Sequence, residues 1–237
     1  MKAVICLPTY NERENLEPML LALEQVLPQG GRVLVIDDGS PDGTGELADR
    51  LAEQLPFVSV LHRQRKDGLG RAYVAGFHRA LADGADLILE MDCDFSHDPK
   101  DVPRLIAAAE DADVAIGSRY VAGGGTENWG AIRRLISRSA SVYTRMLLMP
   151  INDPTSGFKC FRRAVLERID LDAIHSKGYA FQIENVYRSL RAGFRVVEVP
   201  ITFAERHMGH SKMNRGIVLE AIWKVPALRL AAARGKL

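Results

Sequence analysis

Residues 87–94 read Leu-Ile-Leu-Glu-Met-Asp-Cys-Asp, a short apolar run that ends on two carboxylates one residue apart, Asp92 and Asp94. A run of this character suits a strand buried in a parallel sheet, and ligands of open α/β sheets bind beyond the carboxyl ends of such strands. The two acids therefore stand where a ligand is expected. Asp-x-Asp on a strand-to-loop bend can share a divalent cation, and a hard cation of this kind is commonly held jointly with a substrate's phosphates. The competing reading is a solvated acidic loop or a helix cap, because Asp before a helix is common.

Working outward, strand and helix signals alternate through the first half of the chain. Strands are predicted at 3–7, 32–36, 58–62, 87–91 and 114–117, and helices at 15–27, 45–55, 71–83 and 101–110. This rhythm argues for a mainly parallel sheet with helices on its faces. Four of the five strands run into polar or Gly-rich loops, which such a sheet gathers on one rim. Beyond Arg119 the pattern changes. Gly123, Gly124 and Gly125 predict a flexible loop, and residues 131–149 a long helix in which Ile132, Leu135, Ile136, Val142, Tyr143, Met146 and Leu147 recur at helical spacing among arginines. A strand at 158–162, a helix at 181–192, a strand at 195–201, a polar basic loop at 204–215 and a helix at 217–233 complete the reading. Pro226 is expected to kink that last helix. The expected organisation is one compact α/β domain over residues 1–212 and an amphipathic helical appendage over 213–237.

The totals exclude several classes. Lys and Arg number 31 against 30 Asp and Glu, so no global field draws the chain to nucleic acid and any basic site must be local. The three cysteines are far apart and lack metal-ligand spacing, which points to a reducing compartment and free thiols. The apolar stretch after Met1 ends at Pro8 and turns polar at once, as a first strand does and a signal peptide does not. No segment reaches the roughly twenty apolar residues that span a bilayer, so work at a membrane would be done from its surface.

Other constellations carry chemistry. Residues 35–44 read VIDDGSPDGT, with Asp37, Asp38 and Asp42 in one turn; a carboxylate here can accept from a nucleobase or ribose, or simply shape a turn and cap a helix. The loop from Lys66 to Gly70 can bring backbone amides to a phosphate at a helix start. Arg119, directly after a strand, suits a phosphate oxyanion through its planar fork. Glu184 is the remaining base candidate, with a substrate-orienting or a solvent-facing position as alternatives. The histidines, His97 among them, read as polar loop residues.

Taken together, VIDDGSPDGT, Asp92-Cys93-Asp94, Gly117-Ser118-Arg119-Tyr120, Asp153-Pro154-Thr155-Ser156-Gly157-Phe158 and the closing Arg206-x-x-Gly-x-Ser-Lys212 resemble the dolichol-phosphate (polyprenol-phosphate) mannose synthases of glycosyltransferase family 2. The resemblance runs from Lys2 to Lys212. It implies the GT-A fold, a Rossmann-like mainly parallel sheet flanked by helices, and transfer of mannose from GDP-mannose to a polyprenyl or dolichyl monophosphate with Mg2+ or Mn2+. Residue by residue, it implies that Pro8, Tyr10, Glu12, Ile36 and Asp38 surround the guanosine part of the donor. Asp92 and Cys93 lie by the nucleotide sugar, Asp94 is the main metal ligand, and Ser96 stands where some members place a glutamine that also binds the metal. Cys93 replaces the more usual alanine and is expected to be passive. Arg119, Arg133 and Ser137 hold the lipid phosphate, and Arg206 and Lys212 belong to a loop that closes on the donor diphosphate.

A lipid monophosphate is already anionic at neutral pH, so the acceptor needs alignment and charge management rather than a base. In-line displacement with inversion at the anomeric carbon follows. The resemblance also implies peripheral attachment at the cytoplasmic face of a membrane, with room for a separate membrane subunit. The helices at 131–149 and 217–233 can either lie on that membrane or pack on the sheet. Two other readings remain open: a polyprenyl-phosphate glucosyltransferase or other family 2 enzyme using a UDP-sugar, and a non-catalytic module that binds nucleotide sugar or lipid phosphate.

Overall fold

The computed structural model describes residues 1–176, 178–205 and 215–235. The chain enters an interior strand of the sheet with β1 (Ala3–Thr9), a nearly continuous apolar run whose side chains alternate between two cores. Ala3, Ile5 and Leu7 join Leu16, Met19, Leu20 and Leu23 of α1 (Arg13–Glu24) on one face of the sheet. Val4 and Cys6 face the other core, with Tyr73 and Phe77 of α3 (Leu69–Ala82). Period-2 side-chain alternation in a strand covered on both faces produces this division.

The expected strands and helices of the first half are present: β2 (Arg32–Asp37), α2 (Thr44–Gln54), β3 (Val58–His62), β4 (Leu87–Glu90), α4 (Val102–Asp111) and β5 (Val114–Ser118). After β5 come β6 (Gly125–Thr126), α5 (Ala131–Leu147), β7 (Lys159–Arg162), α6 (Arg163–Arg168), α7 (Gly178–Arg191), β8 (Val196–Pro200), β9 (Thr202–Phe203) and α8 (Arg215–Ala233). The main sheet has the order β3-β2-β1-β4-β7-β5-β8. All neighbours are parallel except β7, which runs antiparallel to both β4 and β5. The carboxyl ends of β1, β2, β4 and β5 therefore share one rim, as expected of the loops that follow them.

Three differences from the sequence reading matter. The glycine loop is anchored rather than flexible: Gly125 and Thr126 pair with Thr202 and Phe203, and a Cβ at Gly124 would come within 2.5 Å of the Ser118 carbonyl oxygen. Helix α8 runs through Pro226 as one helix and inserts Val225 and Leu228 into the core shared with α7, so its second half is packed rather than appended. Finally, Glu90, passed over as part of an apolar run, is fully buried opposite Lys159 in the β4–β7 ladder.

Helix α5 packs Tyr143 and Leu147 on the core but leaves most of its apolar residues outside. Its buried residues are Ser141 and Thr144, whereas Ile132, Leu135, Ile136, Val142 and Met146 are exposed. Trp223 and Leu230 of α8 are exposed as well. Among the described residues, no helix is long and apolar enough to cross a membrane.

Candidate active site

Strand β4 ends at Glu90 and the chain turns into the Asp92–Ser96 bend. Asp94 is buried, 2% exposed, and its Oδ1 accepts from the Ser96 backbone N–H at 3.0 Å and from Ser96 Oγ at 2.5 Å. Ser96 thus orients Asp94, a role its position beside the acid did not announce. Asp92 is partly exposed, and its Oδ1 accepts from the Tyr73 hydroxyl at 3.2 Å. Cys93 is buried in the α1-side core, consistent with the passive role expected of it. Behind the bend, the backbone N–H of Asp92 donates to His97 Nδ1 at 3.5 Å. Burial pushes the His97 pKa down to about 4 against the opposing pull of Asp94, so the ring is neutral at pH 7.

At the neighbouring strand ends the three acids of VIDDGSPDGT have separate duties. Asp37 accepts from Thr9 Oγ1 at 3.1 Å, Ser40 Oγ at 2.6 Å and Ser40 N–H at 3.0 Å. Asp42 accepts from Thr44 N–H at 3.0 Å and Oγ1 at 2.6 Å, holding the start of α2. Both are turn-builders. Asp38 is paired with Arg63, a residue the motif reading missed; burial raises its pKa and Arg63 opposes the rise. Tyr10 and Glu12 lie partly exposed on the same rim, Tyr10 under the Lys66 ammonium at 3.9 Å and Glu12 accepting from Asn15 Nδ2 at 2.8 Å. Pro8 pairs with Ile36 in the β1–β2 register. The Ile36 side chain is fully buried against α3, where a Cβ at Gly76 would lie 2.4 Å from its Cδ1. The Ile36 side chain therefore has no exposed surface, and its backbone alone lies on the β1–β2 edge of the rim. Gly70 is likewise a packing residue, since a Cβ there would come within 2.8 Å of the Phe181 ring.

Arg119, at the end of β5, is buried. Its Nε donates to Asp153 Oδ2 at 2.7 Å, its Nη2 to Asp153 Oδ1 at 2.6 Å and to Thr155 Oγ1 at 2.8 Å. The Arg119 side chain is only 5% exposed. The guanidinium is framed by the rings of Tyr120, Trp129 and Phe203, centroids 5.3, 5.6 and 5.4 Å away, and the β6–β9 pairing brings the last two together. Arg133 lies over the same Trp129 ring at 4.1 Å and donates to Glu205 at 3.2 Å. Ser137 accepts from the Tyr120 hydroxyl at 2.6 Å. Arg133, Ser137 and Thr155 all line a cavity of about 520 Å³ whose other walls include Trp129, Leu135, Ile136, Tyr143, Ile183 and Val225. Of the three residues expected at the acceptor phosphate, Arg133 and Ser137 line this apolar chamber, and Arg119 lies behind it, bonded to the lining Thr155. Arg206 and Lys212 lie outside the described residues.

Glu184 does not face solvent. It is buried, accepting from Arg188 Nε at 2.9 Å and from Ser176 Oγ. Among the described residues, no group of three or more His, Cys, Asp and Glu side chains is arranged to hold a metal.

An α/β sheet with an Asp-x-Asp bend, further acids at an adjacent strand end and a cationic wall beside them defines a GT-A-like transferase site. The sequence profile of Glycosyl transferase family 2 matches residues 4–170, and the chain belongs to that family. It is 50% identical over 233 residues to the undecaprenyl-phosphate mannosyltransferase of Micrococcus luteus, covering 98% of this chain and 96% of the relative. It is 49% identical over 241 residues to the polyprenol monophosphomannose synthase of Mycolicibacterium smegmatis, covering 99% and 91%. A solved mannosyltransferase of Pyrobaculum calidifontis, in complex with GDP-Man and Mn2+, superposes with a TM-score of 0.62 at 17% identity, covering all of this chain and 76% of the other, a likeness of fold. The chain is a glycosyltransferase.

Proposed function

We propose that the protein transfers mannose from GDP-mannose to a polyprenyl monophosphate, inverting the anomeric carbon by in-line displacement. The observation that carries this reading is the chamber of about 520 Å³, apolar in most of its walls, with Arg133, Ser137 and Thr155 set into it. A hydroxyl acceptor would need a base, and the one carboxylate suggested for that duty, Glu184, is tied to Arg188. A phosphate acceptor needs cations and donors, and a prenyl chain needs an apolar wall. The relatives from Micrococcus luteus and Mycolicibacterium smegmatis carry names that state the same acceptor class and the same sugar.

Asp94, oriented by Ser96, would hold Mg2+ or Mn2+, with Asp92 beside it. Such a cation neutralises charge on a leaving nucleoside diphosphate. Asp38, with Arg63, and the rim residues Tyr10 and Glu12 would receive the guanosine. Arg133, Ser137 and Arg119 would align the acceptor phosphate, and Arg206 and Lys212 would add charge at the diphosphate.

The exposed apolar stripe of α5, flanked by Arg134, Arg138 and Arg145, together with Trp223 of α8, would rest on the surface of a membrane from which the lipid enters. The same reading puts the enzyme at the cytoplasmic face, peripherally attached; a membrane subunit is not required by it. The test is an acceptor panel with GDP-mannose as donor: polyprenyl phosphate, the unphosphorylated polyprenol and a free saccharide. Transfer to the phosphate alone supports the reading, and preferred transfer to the saccharide or alcohol overturns it.

A further inference from the structure

The turn that carries Asp153 and Thr155 continues into Gly157, which is partly open while its neighbours Ser156 and Phe158 are buried. A side chain begun at Gly157 would set its first carbon 3.6 Å from Gln182 Nε2, 3.8 Å from Asp92 Oδ2 and 3.8 Å from His97 Cε1. Three polar side chains, two from the bend after β4 and one from α7, therefore surround a space kept clear by a missing Cβ. Gly157 does not have the left-handed backbone that would demand glycine, so the space itself is what its lack of a side chain provides.

Gln182 is buried, 3% exposed; its amide nitrogen makes no well-formed hydrogen bond among the described residues, with the Glu90 carboxylate drawing one N–H and the other left to the space before Gly157. Its orientation is dictated from below. Lys159, fully buried, donates to Gln182 Oε1 and to the Ser156 carbonyl, and lies 3.4 Å from Glu90 Oε2. An ammonium only donates, so it must face the amide oxygen, and the NH2 is turned away from it. Glu90 is held in turn by Asn185 Nδ2 at 3.3 Å. Burying this chain of polar groups is costly, and leaving its last donor unsatisfied adds to the cost, which is recovered when a ligand accepts from it.

We propose that the space before Gly157, between Gln182 Nε2 and Asp92 Oδ2, is the subsite that receives one ring hydroxyl of the donor hexose, and that Gln182 determines hexose specificity. The inference rests on the functional reading above and goes further by assigning the sugar's contacts. A hydroxyl both accepts and donates, and so satisfies an amide N–H on one side and a carboxylate oxygen on the other. A site built to bond a hydroxyl rejects the analogue that lacks it far more strongly than an apolar pocket rejects a missing methylene, because its own polar groups are left unpaired. Lys159 and Glu90 are positioning residues that fix the amide and touch no substrate.

The test measures kcat/KM for GDP-mannose and each of its monodeoxy counterparts, with polyprenyl phosphate as acceptor, in the wild type and in Gln182→Met. In the wild type one monodeoxy donor is expected to fall by about tenfold or more. In Gln182→Met that penalty should shrink to about twofold or less while the other penalties stand. A merely structural glutamine would lower all donors alike and leave every penalty unchanged, which would overturn the inference. Should Gln182→Met fail to fold, Gly157→Ala decides. Its methyl meets only ordinary contact distances, so the fold and the affinity for GDP, which has no sugar, should be kept, while kcat/KM for GDP-mannose falls about tenfold. Unchanged use of GDP-mannose by Gly157→Ala would overturn the inference. Absence of mannosyl lipid from the wild type would overturn the functional reading and this inference together, whereas turnover with unaltered penalties overturns the inference alone.

Discussion

Arg119 and Asp153 meet as a two-pronged buried ion pair, Nε to Oδ2 at 2.7 Å and Nη2 to Oδ1 at 2.6 Å, and Asp153 also accepts the Arg119 backbone N–H at 2.9 Å. The pair fixes the end of β5 to the turn that bears Thr155 and Gly157. Removing one partner leaves a buried charge uncompensated, which typically costs about 3–5 kcal/mol. Asp153→Asn should therefore lower the unfolding free energy by an amount of that order, read from the shift of the midpoint in chemical unfolding. Arg119→Lys should not rescue function, because a point ammonium cannot reproduce the fork. A fully stable Asp153→Asn would show that the pair is not what holds this rim.

Asp94 and Ser96 separate the group that would bind a cation from the group that aims it. Asp94→Ala should abolish metal-dependent transfer with the fold intact by circular dichroism. Ser96→Ala should retain transfer but need more metal, with about a 10–100-fold loss of affinity or activity, as is usual when the partner of a metal ligand is removed. Metal titrations of the transfer rate distinguish the two, and equal behaviour of both variants would contradict the division of roles.

Arg133 is exposed enough to meet a ligand and stands in the chamber wall. Arg133→Ala should raise KM for polyprenyl phosphate by about tenfold or more, the loss of one charge-assisted contact, while GDP binding measured by calorimetry changes little. Equal losses on both sides would remove its acceptor role.

Leu135 and Met146 are 68% and 77% exposed on α5. Leu135→Asp and Met146→Asp should leave thermal stability nearly unchanged and reduce co-sedimentation with vesicles containing anionic phospholipid. Loss of stability without loss of vesicle binding would mean that the stripe packs elsewhere.

His97 gives a pH dependence with a definite sign. Its folded pKa is depressed from the usual 6.5 to about 4, so between these values the unfolded chain binds a proton that the folded one refuses. Stability of the metal-free protein should therefore fall as pH drops from about 6.5 towards 4. In His97→Asn, whatever its midpoint at neutral pH, the slope across that window should be shallower. Parallel slopes in the two proteins would count against a buried neutral imidazole.

Much of the fold was legible because β1, β2 and β4 are nearly continuous apolar runs and the helices between them keep a clear period. The reversed direction of β7 was not, since a strand's own pattern does not encode the direction of its neighbours. The Asp-x-Asp bend was readable from its place after β4, and Asp153 to Phe158 from its turn residues. The buried chain of Glu90, Lys159 and Gln182 was hidden because each residue is ordinary in its local context and becomes informative only when β4, β7 and α7 meet. Helix α5 illustrates the complementary limit. Its apolar period was plain, but period alone does not say which apolar residues are covered; the structure packs Tyr143 and Leu147 on the core and leaves Ile132, Leu135, Ile136, Val142 and Met146 exposed.

The most direct measurement is transfer of labelled sugar into organic-extractable lipid, comparing GDP-mannose with UDP-glucose, with polyprenyl phosphate and Mg2+ or Mn2+ each supplied or withheld. The expected result is mannosyl lipid from GDP-mannose only, and only when both the lipid phosphate and a divalent cation are present. Glucosyl lipid from UDP-glucose, or no lipid product from either donor in a protein that still binds the nucleotide, would contradict it.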